Sequence, residues 1–146
     1  MGWGVSSVGA RDMISFTIMS RRHESVLKDW LAAVNKRDLK RLLALYNERA
    51  ILIPTFSNRL LDSPPRIREY FRKLASHKEL SVSLHEKTLL VQPISGRLYA
   101  LSGIYCWRIA LDTEPLRFEA RFSYLLDLAK PRPILHHHSS QIPRTL

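Results

Sequence analysis

Apolar residues recur with a helical period in the segment that begins near residue 20. The stretch SRRHESVLKDWLAAVNKRD places four residues at the i, i+3, i+4, i+7 spacing of one helical face: Leu27, Trp30, Leu31 and Val34. Ser20 stands where an N-cap residue would accept a hydrogen bond from the first turn. The pattern therefore predicts an amphipathic helix that packs this face against a core.

Two further helices are predicted before residue 77. Asp38 supplies an N-cap oxygen for the first, and Ser63 and Pro64 occupy the N-cap and first turn of the second, where the missing N–H of proline has no cost. Their apolar faces are formed by two sets with helical spacing: Leu39, Leu42, Leu43 and Tyr46, then Ile67, Tyr70, Phe71 and Leu74. Between the two helices, the apolar run AILIP predicts a short strand that ends at Pro54.

After residue 77 the apolar period changes from helical to alternating. Four long segments rich in β-branched and aromatic residues follow, separated by turn signals: ELSVSLHEKTLLVQPI, RLYALSGIYCWRIAL, PLRFEARFSYLLDL and PILHHHSS. Each is predicted to be an antiparallel strand. Three helices and a short strand, followed by four long strands, predict an α+β fold in which helices cover one face of a curved sheet.

Chain length and charge narrow the class of protein. A length of 146 residues predicts a single domain. Residues 1–19 have no apolar period and are expected to form a disordered tail, which leaves one domain over residues 20–146. The net charge of +10 arises from short basic pairs spread over several elements, and no nucleic-acid-binding motif accompanies them. We therefore expect a solvated basic surface and no nucleic-acid partner.

The chain lacks the sequence features of a membrane or secreted protein. No stretch approaches the ~20 apolar residues that a membrane span needs. The N-terminus has neither the basic region nor the apolar region of a secretory signal. Cys106 is the only cysteine, so no internal disulfide can form, which fits a reducing compartment. We therefore expect a cytoplasmic protein without a membrane partner.

Five stretches occur in an order that resembles a known family: LYNERAILIPTFSN, IREYF, SGIYCW, EARFSYLL and the closing HHHSSQIP. They fall within residues 24–143 and are similar to the SnoaL-like proteins of the nuclear transport factor 2-like superfamily, close to the association domain of calcium/calmodulin-dependent protein kinase II. The resemblance implies a cone-shaped α+β barrel, with three N-terminal helices packed on a strongly curved, mostly antiparallel sheet. Nothing of the kinase is present, so the resemblance implies a free-standing module.

Three consecutive histidines lie on the last predicted strand. Because neighbouring side chains on a strand point to opposite faces, His137 points away from His136 and His138, and at most two of the three can reach one metal ion. The other histidines have no ligand spacing, and the chain has no P-loop or dinucleotide-binding fingerprint. We therefore expect no metal and no cofactor, and polar strand residues that face a cavity or a subunit interface.

The strand RFEARFSY separates its polar residues from its apolar ones. One face carries Arg117, Glu119, Arg121 and Ser123, and the other carries apolar or aromatic residues. The polar face is either a solvated surface or the wall of a cavity. The resemblance implies the second, since the arginine of the family's ARF motif, here Arg121, lines the pocket. An enclosed guanidinium needs an anionic partner, which Glu119, a carboxylate from elsewhere in the protein or a bound organic acid would supply.

The neighbouring strand adds two aromatic residues, Tyr105 and Trp107, which either fill the core or form the apolar wall of a pocket. The predicted ligand-binding set is therefore Arg121, Glu119, Ser123, Tyr105, Trp107 and His138. Relatives with this fold that isomerise or cyclise use an aspartate or a histidine inside the cone. The candidates for a general base are accordingly His136, His137, His138 and Glu119.

Three functions remain open on these grounds. The first is a small-molecule-binding, dimer-forming module with a polar-lined cone cavity for an acidic or polar organic ligand. The second is an enzyme of the isomerase, cyclase or hydrolase type that uses a cavity histidine or glutamate as general base. The third is a purely structural association domain. A homodimer or higher homo-oligomer is expected through the sheet face, because an uncovered Trp107 or Phe118 would form an apolar patch.

Overall fold

The computed structural model describes residues 22–146, and the predicted tail, residues 1–19, lies outside this range. Helix α1 spans His23–Asn35 and buries the apolar face that its sequence pattern predicts. Arg22 occupies the N-cap position of α1 and makes no side-chain capping hydrogen bond. Ser20, the predicted cap, also lies outside the described residues.

Helix α2 is shorter than the sequence pattern indicates. It spans Leu39–Leu43 and begins at Asp38, whose Oδ1 accepts a hydrogen bond from the Arg41 backbone N–H at 3.1 Å, as predicted. Tyr46, predicted on the apolar face of this helix, instead begins strand β1, Tyr46–Ile53, because it pairs with the last strand of the sheet. Strand β1 is therefore longer than the run AILIP indicated.

Helix α3 spans Pro64–Ala75 and confirms the third predicted helix. Its buried side is formed by Ile67, Phe71 and Leu74. Ser63 is the N-cap residue, although its side chain makes no capping hydrogen bond. No helix in residues 22–146 is long and apolar enough to cross a membrane.

The remaining strands join β1 in one sheet. They are β2 (Ser81–Leu84), β3 (Leu90–Ser95), β4 (Leu98–Ala110), β5 (Pro115–Asp127) and β6 (Ile134–Gln141). The order across the sheet is β1-β6-β5-β4-β2, and β3 pairs with another stretch of β4. The β1–β6 pair is parallel and the other pairs are antiparallel.

One predicted strand is divided into two. A short 3-10 helix, Glu86–Thr88, separates β2 from β3 where the sequence suggested a continuous strand. Thr88 fixes this break, because its hydroxyl donates to the His85 carbonyl at 2.7 Å and accepts from the Ile104 backbone N–H at 2.9 Å. Both short strands pair with β4, so a strand of 13 residues holds two partners along its length.

The three helices cover one face of the sheet, which we call the inner face. Trp30 of α1 lies at the centre of the core: its ring stacks on Tyr105, with 5.5 Å between ring centroids, and meets Trp107 and Tyr124 edge-on. Most residues on the opposite side, the outer face, are at least partly exposed. This arrangement confirms the predicted α+β fold, with helices packed against one face of a mostly antiparallel sheet.

Candidate functional site

A groove of about 820 Å³ runs between α3 and the loop of residues 54–61 that follows β1. Five apolar or aromatic side chains form its floor: Phe56, Leu61, Tyr70, Leu74 and Ile109. Four basic side chains lie at its rim: Arg59, Arg66, Lys73 and His77. An apolar surface with a few convergent polar groups is typical of a small-molecule site.

Some of the charges beside the groove are already paired. Arg66 Nη1 lies 3.0 Å from Asp62 Oδ1, and Arg72 donates to both carboxylate oxygens of Glu69, at 2.7 and 2.9 Å. The hydrogen bonds from Arg72 hold the pKa of Glu69 below its usual range, so this carboxylate stays ionised. Neither Arg66 nor Glu69 is therefore the obvious contact for a bound ligand.

Arg59 and Lys73 are the cations of the rim that stay available. In the described part of the chain, neither side chain forms an ion pair. Both are exposed and stand beside an apolar floor. The groove thus combines a positive potential, which attracts anions, with a surface that binds apolar groups.

Phe56 and Tyr70 separate the groove from the interior of the cone. The Phe56 ring meets Trp107 and Phe118 edge-on, with 5.4 Å between ring centroids in each pair. Burial raises the pKa of the Tyr70 hydroxyl, and the nearby backbone N–H of Phe56 offsets only part of that shift. Tyr70 therefore stays neutral at physiological pH and gives the boundary a hydroxyl dipole rather than a charge.

His137 lies inside the cone behind this boundary and is only 2% exposed. Its Nδ1 lies 2.7 Å from the Tyr46 hydroxyl, and its Nε2 lies 3.2 Å from the Tyr105 hydroxyl. The imidazole also stacks on Tyr124, with 3.9 Å between ring centroids. Burial, with smaller contributions from the two adjacent histidines, lowers the pKa of His137 well below its usual value, so the ring is neutral at pH 7.

The hydrogen-bond partners favour one tautomer of His137. Trp30 Nε1 can only donate, and it donates to the Tyr46 hydroxyl oxygen at 2.9 Å. The Tyr46 proton can then point at Nδ1, and in that tautomer Nδ1 is the acceptor and Nε2 the donor to Tyr105. A continuous hydrogen-bond relay thus runs from Trp30 through Tyr46 and His137 to Tyr105.

The relay ends among further polar atoms. The hydroxyls of Ser139 and Thr55 bond to each other and lower the pKa of Tyr105, against a larger increase from burial. Trp107 Nε1 approaches the Tyr105 hydroxyl without reaching hydrogen-bond geometry. This N–H and the Tyr124 hydroxyl are buried with no hydrogen-bond partner in residues 22–146. The cone interior is therefore polar at its centre although aromatic rings fill it.

The prediction that Arg121 lines the cone is wrong. Arg121, Glu119 and Ser123 lie on the outer face of β5, and His138 lies beside them on β6. The inner positions of β5 are occupied by apolar and aromatic residues such as Phe122, which pack against α1 and its neighbours. A guanidinium in that position would be buried without a charged partner, at a large cost.

The predicted ligand-binding set is split between the two faces of the sheet. Tyr105 and Trp107 point into the cone, whereas Arg121, Ser123 and His138 share a shallow recess on the outer face. The sheet itself separates the two groups. They therefore do not form the single cavity that the sequence suggested.

The candidate bases are divided in the same way. His137 lies inside the cone, and His136 and His138 point to the outer face, as strand alternation predicts. Glu119 is half-exposed on the outer face and lies 3.6 Å from the imidazole of His85. No group of three or more histidine, cysteine or acidic residues is placed to hold a metal ion in the described part of the chain.

The sequence interpretation missed the groove, although one signal points to it. Arg66 and Lys73 are seven residues apart, so a helical projection places them on one basic side of α3, and His77 follows shortly after that helix ends. Arg59 carries no comparable signal. It lies in a loop, and only the packing of residues 54–61 against α3 brings it to the same rim.

Solved structures of low sequence identity share this fold. A protein from Xanthomonas campestris, provisionally described as a calcium/calmodulin-dependent protein kinase II association domain, is 19% identical, with a TM-score of 0.73 over 94% of this chain and 91% of that chain. A Novosphingobium aromaticivorans protein, provisionally described as an aromatic ring hydroxylase, is 12% identical, with a TM-score of 0.72 over 83% and 87%. A Streptomyces avermitilis protein, provisionally described as a dehydratase of the NTF2-like family, is 8% identical, with a TM-score of 0.73 over 90% and 99%.

The family is established by the sequence itself. No curated protein matches the chain with significance. The family model described as the SnoaL-like domain, however, matches residues 24–145, which is most of the chain. This range includes all of the described strands and begins one residue after α1 starts. The chain therefore belongs to the SnoaL-like domain family, as its five sequence stretches predicted.

Proposed function

We propose that this protein is a small-molecule-binding module and that its ligand is an organic acid with an apolar body, held in the groove beside α3. The observation that carries the proposal is the pairing of an apolar floor with two cations, Arg59 and Lys73, that form no ion pair in residues 22–146. The outer-face residues first suggested by the sequence are not part of this site.

The two halves of such a ligand would be bound by different forces. Its apolar body would cover Phe56, Leu60 and Leu111, and each Å² of apolar surface removed from water contributes about 25 cal/mol. Its carboxylate would accept hydrogen bonds from Arg59 or Lys73, and hydrogen bonds to charged groups contribute about 1.5–3 kcal/mol. Acids that lack an apolar body should therefore bind more weakly than acids that carry one.

The test is thermal stabilisation by a panel of carboxylic acids that runs from acetate to acids with alkyl or aromatic bodies. Saturating ligand at 100 times its Kd should stabilise the wild type by about 2.7 kcal/mol. The double variant Arg59→Gln/Lys73→Gln should lose this response. Arg68→Gln is the matched control, since Arg68 is an exposed arginine of α3 that does not line the groove.

Two results would contradict the proposal. One is a panel in which no acid shifts the wild-type midpoint. The other is a double variant that responds as strongly as the wild type and Arg68→Gln do. In either case the purely structural association domain, the third function that the sequence left open, would be the better interpretation.

An isomerase, cyclase or hydrolase is the second candidate function, and the His137 relay is the observation that favours it. A neutral imidazole can accept a proton, and the hydroxyls of Tyr46 and Tyr105 are within hydrogen-bond distance of its two nitrogens. Both ring nitrogens already have partners, so His137 would exchange protons with a substrate only through a tyrosine hydroxyl. Glu119 does not support this candidate, because it lies on the outer face.

Hydrogen–deuterium exchange into the ligand tests this second candidate. Any acid that stabilises the protein would be incubated with it in D₂O, and its carbon-bound hydrogens followed by NMR. A general base would exchange hydrogens next to the carboxyl group, and His137→Phe would abolish the exchange while leaving the groove intact. If an acid binds but its carbon-bound hydrogens exchange no faster than in buffer, the protein binds the acid without acting on it as a general base.

A further inference from the structure

The imidazole of His77 has a fixed orientation at the rim of the groove. His77 lies just beyond the end of α3, and its Nδ1 lies 2.8 Å from the backbone carbonyl oxygen of Lys73. Lys73 belongs to the last turn of α3, where backbone carbonyls have no partner further along the helix. The same oxygen also accepts from the Ser76 hydroxyl at 2.6 Å. The ring of His77 is therefore bound back onto the helix end.

The backbone of His77 is held as well, by the segment that follows α1. Arg37 donates from Nη2 to the His77 carbonyl oxygen at 2.7 Å and from Nε to the Ala75 carbonyl oxygen at 3.0 Å. Arg37 has a φ of 54°, in the left-handed region that residues other than glycine seldom adopt. Two separate segments thus hold one histidine. A group that is positioned in this way loses little freedom when it binds a ligand.

The partner of Nδ1 determines where this ring carries its proton. A backbone carbonyl oxygen can only accept, so Nδ1 carries a proton while this hydrogen bond is formed. In the neutral imidazole the lone pair is then on Nε2, which points away from the helix end. Nε2 has no hydrogen-bond or ion-pair partner in residues 22–146. The rim of the groove therefore holds an oriented hydrogen-bond acceptor without a donor.

This acceptor differs from the other polar groups beside the groove. Arg59 and Lys73 can only donate, and the carboxylate oxygens of Glu69 already accept from Arg72. A ligand body that covered Nε2 would displace water from it, which weakens binding unless the ligand supplies a donor of its own. The positive rim disfavours a cationic donor such as an ammonium group. A neutral hydroxyl is the donor that fits best.

We propose that His77 determines the ligand specificity of the groove, by accepting a hydrogen bond from a hydroxyl group on the apolar body of the ligand. This inference rests on the organic-acid proposal above and narrows it to a hydroxy acid. The carboxylate binds Arg59 or Lys73, and the hydroxyl donates to Nε2 of His77. An acid without the hydroxyl binds the same cations but leaves the acceptor unpaired.

The experiment compares the Kd values of four related acids, by NMR titration of the ¹⁵N-labelled protein at about pH 8, where a histidine side chain is ordinarily neutral. The acids are phenylpropanoate and its three isomers that carry one hydroxyl group on the ring. All four should shift amides of α3 and of residues 54–61. The isomer whose hydroxyl reaches Nε2 should bind about fivefold tighter than phenylpropanoate, as expected for one additional hydrogen bond.

Two substitutions remove the acceptor in different ways. His77→Asn keeps an N–H group that can bind the Lys73 carbonyl, and His77→Phe keeps an aromatic ring. In both variants the ratio of the two Kd values should fall to about one, whatever the overall affinity, because neither side chain has an acceptor at the position of Nε2. His85→Asn is the matched control, since His85 is a half-buried histidine that does not line the groove. It should keep the fivefold preference.

The outcomes separate this inference from the proposal on which it rests. If phenylpropanoate shifts the groove amides but no hydroxylated isomer binds tighter, the groove binds acids and His77 does not select among them. A preference that persists in His77→Asn and His77→Phe, or that disappears equally in His85→Asn, would overturn the role of Nε2. If none of the four acids shifts these amides, the organic-acid proposal fails, and the inference about His77 fails with it.

Discussion

His137 makes buried hydrogen bonds and also stacks among the aromatic rings of the core. It is a buried histidine with a hydrogen-bond partner on each nitrogen, from Tyr46 and Tyr105. A buried polar group of this kind stabilises a fold only while it remains neutral and satisfied, because an added charge would have no counter-ion among these rings. The ring stacked on Tyr124 confines it further. The neutral form of His137 is therefore the one that the fold accommodates.

Stability should consequently fall in mild acid. The folded protein holds the pKa of His137 below the ordinary value of 6.5, so below pH 6.5 the unfolded chain binds more protons than the folded one. The free energy of unfolding should decrease as the pH falls, by up to about 1.4 kcal/mol per pH unit from this residue. His137→Gln, which cannot titrate, should show a shallower decline. Urea denaturation of both proteins between pH 7 and 5 measures the difference, and parallel curves would contradict it.

Strand β4 is the element that organises the sheet, because β5 lines one of its edges while β2 and β3 share the other. Its inner side carries Tyr105 and Trp107, and Gly103 precedes them on the same side. Phe122 lies directly over Gly103: a Cβ added there would come within 2.9 Å of the ring. The glycine is therefore required by the close approach of an aromatic ring from β5.

Gly103→Ala should destabilise the fold by about 1–3 kcal/mol, the usual cost of overpacking a core. The physical reason is that Phe122 is stacked on Tyr105, with 4.6 Å between ring centroids, and cannot move without disturbing that pair. Ser102→Ala, at the adjacent outward position, is the control and should cost much less. Chemical denaturation decides between them. If Gly103→Ala/Phe122→Leu gained nothing over Gly103→Ala alone, the clash with the ring would not be the cause.

Strands β4 and β5 also show how much of the fold could be predicted from the sequence. Alternation along RFEARFSY correctly separated Arg121 from Phe122, but a period of two does not say which side faces the helices. Which side of β5 faces the helices depends on α1, because Trp30 packs against aromatic side chains of the sheet. The sequence around Arg121 does not contain that information. The helices and strands followed from local spacing, whereas the break at Thr88 and the groove at Arg59 depend on contacts between distant segments. Those contacts could not be deduced from spacing.

At the scale of the whole molecule, the residues on the outer face of the sheet determine whether two copies of the chain can pair. Trp107 and Phe118, expected to lie uncovered there, are instead buried or partly buried against Phe56 on the inner side. The outer face still exposes apolar residues, among them Ile51 and Leu90. They lie among three arginines: Arg108, Arg117 and Arg121. Apolar contacts would favour pairing of two copies through this face, and the arginines would oppose it.

We therefore still expect a homodimer through the outer face, and we expect the strength of dimerisation to depend on the salt concentration. Two copies packed face to face would bring like charges together, and added salt screens that repulsion, so the dimer should tighten as sodium chloride is raised. Arg117→Gln should tighten it at low salt. Sedimentation at micromolar concentration measures both effects. A particle that stays at 17.0 kDa at every salt concentration would contradict the expectation.

The aromatic filling of the cone has a consequence for how long a ligand can stay. Because Trp30, Tyr105 and His137 already occupy the interior, the ligand that we propose for the groove would remain beside Phe56 and Tyr70, in contact with bulk solvent. Its departure requires no opening of a lid, and its arrival requires no search for a rare open state. Residence times should accordingly be short and should vary with the quality of the contacts far more than arrival rates do. Such a protein would follow rapid changes in the concentration of an abundant acid rather than store a scarce one.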